Sequence, residues 1–150
     1  RTYLASRSAS ECTTTVLISG IANKGDVVKP ILVKEIISPE GKVIKRNQPQ
    51  IISRAIDVFI ANEVKNMMVE GVKRGTSKNA SIKNIRVAGK TGTAENPSGK
   101  AHAWFIGFAP ADDPKIAVAV VLEEEGSTGG QAAAPIARNI MIESINTIKN

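Results

Sequence analysis

Three segments of strand-like sequence follow one another at hairpin distance: Ile85 to Ala94, Ala101 to Phe108 and Lys115 to Leu122. Asn96 to Gly99 and Pro110 to Pro114 supply the turns between them, and connections this short join antiparallel neighbours. The chain is thereby committed to an antiparallel meander, around which the remaining segments must pack. Upstream, SECTTTVLISGIANK (Ser10 to Lys24) reads as a short helix with Ser10 as N-cap and Gly25 past its end. Pro30 opens an extended stretch, ILVKEIIS, and Pro39, Glu40 and Gly41 turn it into a second, KVIK, so a small hairpin is predicted. After a polar linker, RNQPQ, a helix is predicted with Ser53 as its cap. Ile56, Ile60, Val64, Met67, Met68 and Val72 form its core stripe, the two methionines acting as core filling, and Lys73, Arg74 and Gly75 end it. Residues 76 to 84 form a polar loop. A last helix, Ala133 to Ile148, has Pro135 near its start and Ile136, Ile140, Met141, Ile145 and Ile148 on one side. Helices before and after an antiparallel sheet make an α+β layer arrangement. Residues 1 to 9 have no clear period and read as a remnant or the torn end of a longer domain.

A chain of 150 residues, 42% of them hydrophobic, is enough for one domain with its own core. The single cysteine, Cys12, excludes an internal disulfide and has no Cys or His neighbour with which to bind a metal. A net charge of +6 favours an anionic partner, yet the cations are scattered and aromatic residues make up 3%. Nucleic-acid binding is therefore disfavoured. The apolar runs, such as Ile116 to Leu122, are too short to span a bilayer, and residues 1 to 10 lack an apolar signal core; the chain as given reads as soluble.

The chemistry-bearing stretch is AGKTGTAENPSGKAHAWFIGFAP, residues 88 to 110. Its Gly-Lys-Thr could suggest a phosphate loop, but the Walker pattern needs a glycine where Asn84 stands and a helix immediately afterwards, where Glu95 to Gly99 form a turn. The nucleotide reading fails on both counts. Two readings stay open. In one, Lys90 to Thr93 form the rim of a binding site: Gly89 and Gly92 weaken a strand unless a ligand or another backbone comes close, Lys90 offers charge, Thr91 and Thr93 offer hydroxyls, and Thr93 offers an exposed N–H. Because strand side chains alternate, Lys90 and Thr91 can serve one cleft only from an open sheet edge. In the other, this is an ordinary amphipathic edge strand whose lysine discourages aggregation.

Lys90-Thr91-Gly92-Thr93-Ala94, followed by His102-Ala103-Trp104-Phe105-Ile106-Gly107-Phe108-Ala109-Pro110, resembles the C-terminal part of the transpeptidase domain of penicillin-binding proteins. Ile21-Ala22-Asn23-Lys24-Gly25 with Lys29-Pro30, Gly71-Val72 with Gly75-Thr76, and Gly129-Gly130 with Ala133-Ala134-Pro135 resemble that family's flanking segments in the same order. The resemblance runs from about residue 13 to the end. It implies an antiparallel sheet flanked by helices, a partial β-lactamase/transpeptidase-like fold. The family uses Ser-x-x-Lys, Ser-x-Asn and Lys-Thr-Gly motifs. Carried over, Lys90 supplies positive charge, Thr91 and Thr93 bind the substrate carboxylate, Gly92 lets the donor peptide lie against the strand, and the Thr93 N–H forms half of an oxyanion hole.

No serine here has a lysine three positions later, so the nucleophile motif is missing. Ser77-Lys78-Asn79 and Ser144-Ile145-Asn146 fit the second motif only in spelling, since the family places it far upstream of Lys-Thr-Gly. The resemblance thus implies the C-terminal portion of a peptidoglycan D,D-transpeptidase, one wall of an active site that the N-terminal remainder completes. Its implied partners are a stem peptide ending in D-Ala-D-Ala and β-lactams, with no metal, no cofactor and no nucleic acid. Its implied location is the outer face of the bacterial cytoplasmic membrane, through an anchor outside this sequence. His102 is expected to be structural, Trp104 is a candidate substrate contact, Glu123 to Glu125 a solvated strand end, and Gly126 to Gly130 a flexible loop on the rim. The alternatives are a fragment of a β-lactamase or β-lactam sensor, or a non-catalytic binding module.

Overall fold

A computed structural model describes residues 3–5, 9–97 and 99–149. In chain order the elements are β1 (Tyr3–Ala5), α1 (Ala9–Ala22), β2 (Asp26–Val28), β3 (Glu35–Ile37), β4 (Val43–Arg46), β5 (Ile51–Arg54), α2 (Val58–Arg74), a 3-10 turn (Lys78–Ala80), β6 (Ala88–Ala94), β7 (His102–Ala109), β8 (Ile116–Leu122) and α3 (Ala133–Lys149). The expected meander forms, and the α+β arrangement stands. Its sheet runs β1-β8-β7-β6, so β6 is an edge strand. β1 joins the other edge in parallel, Leu4 opposite Ala117, within a segment where no element was expected. Three residues without alternation give no local signal; the pairing comes from β8.

Opposite sheet faces build two cores, as the strand period requires. Phe105 packs on one with Val87, Val118 and Val120 against Ala133, Ala134, Ala137, Met141 and Ile145 of α3. Phe108, Ala88 and Ala117 pack on the other against Ile18 and Ala22 of α1 and Met68 and Val69 of α2. Within β7, Trp104 is half-buried and Phe105 fully buried, so the two neighbours divide between the faces as strand alternation requires.

Several local expectations are corrected. α1 begins at Ala9, which puts Ser10 inside its first turn. Cys12 has no described side-chain surroundings. The cap of α2 is Asp57, whose Oδ1 accepts the Phe59 N–H at 2.7 Å, while Ser53 lies in β5 opposite Val27. No local signal marks the β2–β5 pair, which is long-range: Ala55 N–H donates to the Gly25 carbonyl at 2.9 Å, and Arg54 pairs with Asp26 at 2.9 Å. With the helix starting later, Ile56 precedes it and the buried stripe is Ala61, Met68, Val69 and Val72; Met67 is 65% exposed. In α3 the buried side likewise falls on alanines plus Met141 and Ile145, leaving Ile136, Ile140 and Ile148 exposed. Small residues let that helix sit close to the sheet, and a reading weighted toward bulky side chains misplaces the stripe. β6 starts at Ala88, because Ile85 bridges back to Ile82 instead. The predicted hairpin forms as β3–β4, with Glu35 and Arg46 paired at 2.9 Å. It leaves Leu32 97% exposed. Among the described residues no helix is long and apolar enough to cross a membrane.

Candidate functional site

The stretch Lys90 to Thr93 occupies the middle of β6, paired on one side only: Lys90 opposite Ile106, Thr91 opposite Phe105, Gly92 opposite Trp104 and Thr93 opposite Ala103. Adjacent residues of an antiparallel strand direct their backbone groups alternately toward and away from the partner. Ala88 directs its carbonyl toward β7, within 2.5 Å of where a Cβ on Gly107 would stand. The Gly89 carbonyl instead faces α2, 3.2 Å from where a Cβ on Gly71 would stand, and the Thr91 carbonyl accepts a 2.5 Å hydrogen bond from the Lys90 Nζ. Residues 89, 91 and 93 therefore form the outward row. By the same alternation the Thr93 N–H points to the open side, and Gly71 closes that side at Gly89.

Side chains divide along the same strand. Lys90 and Thr93 are exposed and Thr91 is buried. The Thr91 hydroxyl meets the Thr76 hydroxyl at 2.7 Å, so of the two strand threonines only Thr93 presents its hydroxyl at the surface. Two hydroxyls in contact use one proton between them, and the second remains to be donated. None of the ion pairs among the described residues involves Lys90.

The two strand glycines turn out to answer different needs. A Cβ on Gly89 would lie 2.5 Å from Phe105 Cζ and 3.1 Å from Val72 Cγ2, so the protein's own core fills that space. At Gly92 the nearest atom would be Trp104 Cβ at 3.3 Å, on the face shared with that indole. Gly92 is the less crowded of the pair, though a Cβ there would still press on Trp104.

A second segment crosses the strand where the sequence suggested a loose loop. Gly129 and Gly130 are buried. A Cβ on Gly129 would stand 2.1 Å from the Trp104 carbonyl oxygen and 2.4 Å from that of Gly92, and one on Gly130 would stand 2.3 Å from the Thr76 carbonyl oxygen. The Gly129 N–H lies 3.5 Å from Thr93 Oγ1, and Asn79 Nδ2 donates to the Gly130 carbonyl at 2.7 Å. The glycine pair thus stands on the rim as expected, but packed rather than loose; Thr76 and Asn79 are the site neighbours to which residue-by-residue reading assigned no role, Gly75-Thr76 having entered only as a family-like segment. Of the serines in the two chance Ser-x-Asn spellings, Ser77 is buried with its Oγ unpaired and Ser144 lies on α3. His102 is half-buried with both ring nitrogens engaged, by Asn96 at 3.1 Å and by the Glu124 N–H at 3.0 Å.

An edge strand with a surface ammonium group, an outward amide and a hydroxyl can receive an extended peptide along its backbone and its anionic end beside the charge. Comparison with known proteins supplies the family. Residues 8–142 match the family profile described as "Penicillin binding protein transpeptidase domain". The chain is 39% identical over 126 residues to the peptidoglycan D,D-transpeptidase PbpA of Mycolicibacterium smegmatis, covering 79% of this chain and 26% of that protein. It is 35% identical over 138 residues to stage V sporulation protein D of Bacillus subtilis, covering 85% and 21%. Among solved structures, penicillin-binding protein A from M. tuberculosis in its ceftriaxone acyl-enzyme complex superposes with a TM-score of 0.78 at 34% identity, covering 87% of this chain and 31% of that one. The chain spans about a quarter of the length of the curated relatives it matches.

Proposed function

The chain belongs to the penicillin-binding protein transpeptidase family, and on that premise we propose that it is the Lys-Thr-Gly wall of a serine D,D-transpeptidase active site. The observation that carries this reading is the one-sided pairing of β6, which leaves Lys90 exposed beside the outward backbone of Thr91 and Thr93. In this reading a stem peptide ending in D-Ala-D-Ala lies antiparallel or parallel along that edge. Lys90 attracts its terminal carboxylate, which the Thr93 hydroxyl and the spare proton of the Thr76–Thr91 hydroxyl pair then bind. Thr91 contributes its outward carbonyl, Gly92 allows close approach, and Trp104 flanks the peptide from the same face as Gly92. The Thr93 N–H donates to the oxyanion that develops on the attacked carbonyl.

In this reading the nucleophile comes from the N-terminal remainder of the domain, since no serine of these 150 residues has a lysine three positions later. Its serine Oγ attacks the penultimate D-Ala carbonyl, the C–N bond to the last D-Ala breaks, and that D-Ala leaves with a proton. An amine of a neighbouring strand then attacks the ester, forms the cross-link and releases the serine. β-Lactams acylate the same serine by mimicking the donor; the M. tuberculosis relative is described as a ceftriaxone acyl-enzyme. The whole protein acts at the outer face of the cytoplasmic membrane, held by an anchor in the remainder.

Labelled penicillin and mass spectrometry test the reading. The full-length protein is expected to take one label on a serine outside residues 1–150, and this chain by itself none. A stable adduct on any of its own serines, or no label on the full-length protein, overturns it.

A further inference from the structure

We propose that His102 is a positioning residue for the Thr93 end of the edge strand, tying together the two loops between which that end lies. This deepens the transpeptidase reading and rests on it for its catalytic consequence. The first loop joins β6 to β7, and Asn96 within it meets His102 Nε2 at 3.1 Å. The second leads from β8 to α3, and the Glu124 N–H donates to His102 Nδ1 at 3.0 Å. Next to that bond the Gly126 N–H donates to the Ala101 carbonyl at 3.1 Å, so the start of β7 holds the second loop by two successive anchors. Three residues further on, Gly129 rests on the Gly92 and Trp104 carbonyls and brings its N–H to Thr93 Oγ1. The imidazole is thus linked through one short segment to the hydroxyl assigned to the substrate carboxylate.

The anchored turn is one that needs holding. Glu124 has φ 51, a left-handed conformation that a side chain with a Cβ enters at a cost, and Gly126 follows with φ 75. The imidazole acceptor offsets that cost. Nδ1 accepts an N–H, which places the ring proton on Nε2. Nε2 faces the Asn96 amide nitrogen, and the contact becomes a donated hydrogen bond when that amide turns its oxygen to the proton. An alanine supplies no acceptor at this position, whereas an asparagine places its amide oxygen close to where Nδ1 stands.

The test uses the full-length protein with His102→Ala and His102→Asn, read by hydrogen exchange over residues 88–94 and 123–131 and by the rate of acylation with fluorescent penicillin. His102→Ala is expected to speed exchange in both segments and to slow acylation about tenfold, less than the roughly 100-fold that a 1 Å misplacement can cost. His102→Asn is expected to restore both to within about twofold of the parent. Unchanged exchange in the alanine variant, or no rescue by asparagine, overturns the proposal. A parent protein that takes no penicillin while the exchange results hold sinks the transpeptidase reading and leaves the loop bridge intact. Should the alanine variant not fold, the nitrogen resonances of His102 decide: the Nε2–H tautomer supports the bridge and the Nδ1–H tautomer refutes it.

Discussion

Lys90 reaches solvent from the middle of an edge strand, and its one described side-chain bond is to the carbonyl of the next residue. Little of the fold depends on it. In the full-length protein Lys90→Ala is therefore expected to slow penicillin acylation about 100-fold, the scale of losing one electrostatic contributor. Its unfolding free energy should shift by no more than about 0.5 kcal/mol, as for other surface substitutions. Comparable losses in both would return the residue to the ordinary edge-strand reading. The two glycines beside it separate in the opposite sense. Gly89→Ala drives a methyl to 2.5 Å from Phe105 and is expected to cost about 1–3 kcal/mol in urea denaturation. Gly92→Ala meets only the Trp104 Cβ at 3.3 Å and should be much milder on stability, so its effect is to be sought in peptide binding. Sequence alone treats both as glycines in a strand. What distinguishes them is the ring of Phe105, sixteen residues from Gly89 along the chain and folded over it by the β6–β7 register.

At the scale of elements, the meander was legible because its three strands are adjacent in sequence and joined by Pro and Gly turns. α2 and α3 were legible in type and less so in facing. The burial of α3 runs through Ala133, Ala134, Ala137, Met141 and Ile145, and small residues weigh little in a reading by hydrophobic bulk. Met141→Ala is accordingly expected to cost about 2–5 kcal/mol and Ile140→Ala under about 1 kcal/mol, measured by denaturant titration. β1, β2 and β5 were illegible, since each is short and owes its form to a partner far along the chain. α2 carries a pH signature in its last turn. The Arg74 guanidinium, hydrogen-bonded to Glu70 at 2.7 Å, holds that carboxyl below its ordinary value, with Arg74 and Lys73 charge adding to the effect. A depressed carboxyl stabilises the folded state above its unfolded value and loses that contribution as pH falls through the folded one. Glu70→Gln should thus melt slightly lower than the parent at neutral pH, with the difference closing in acid. A gap that persists at low pH would assign the effect to packing.

For the whole molecule, the proposed function makes this chain one side of a cleft that presents Lys90, Thr91 and Thr93 to an acylating serine in the remainder. Mixing this chain with a separately made N-terminal remainder is expected to restore penicillin labelling that neither part has alone. A remainder that labels equally well by itself would show that β6 is dispensable. The cationic Lys90, the Lys-Thr-Gly motif and the β6–β7 hairpin could all be anticipated from residues 88 to 110, but the seat of Gly129 and Gly130 could not, because it is made by contacts from three separate segments. α2 abuts the strand at Gly89, so the accessible length runs from Lys90 to Ala94, roughly 17 Å at about 3.4 Å per residue. Under the proposed function that makes the rim a ruler: it would register the last few residues of an extended guest, and anything longer would have to leave the sheet or collide with the helix.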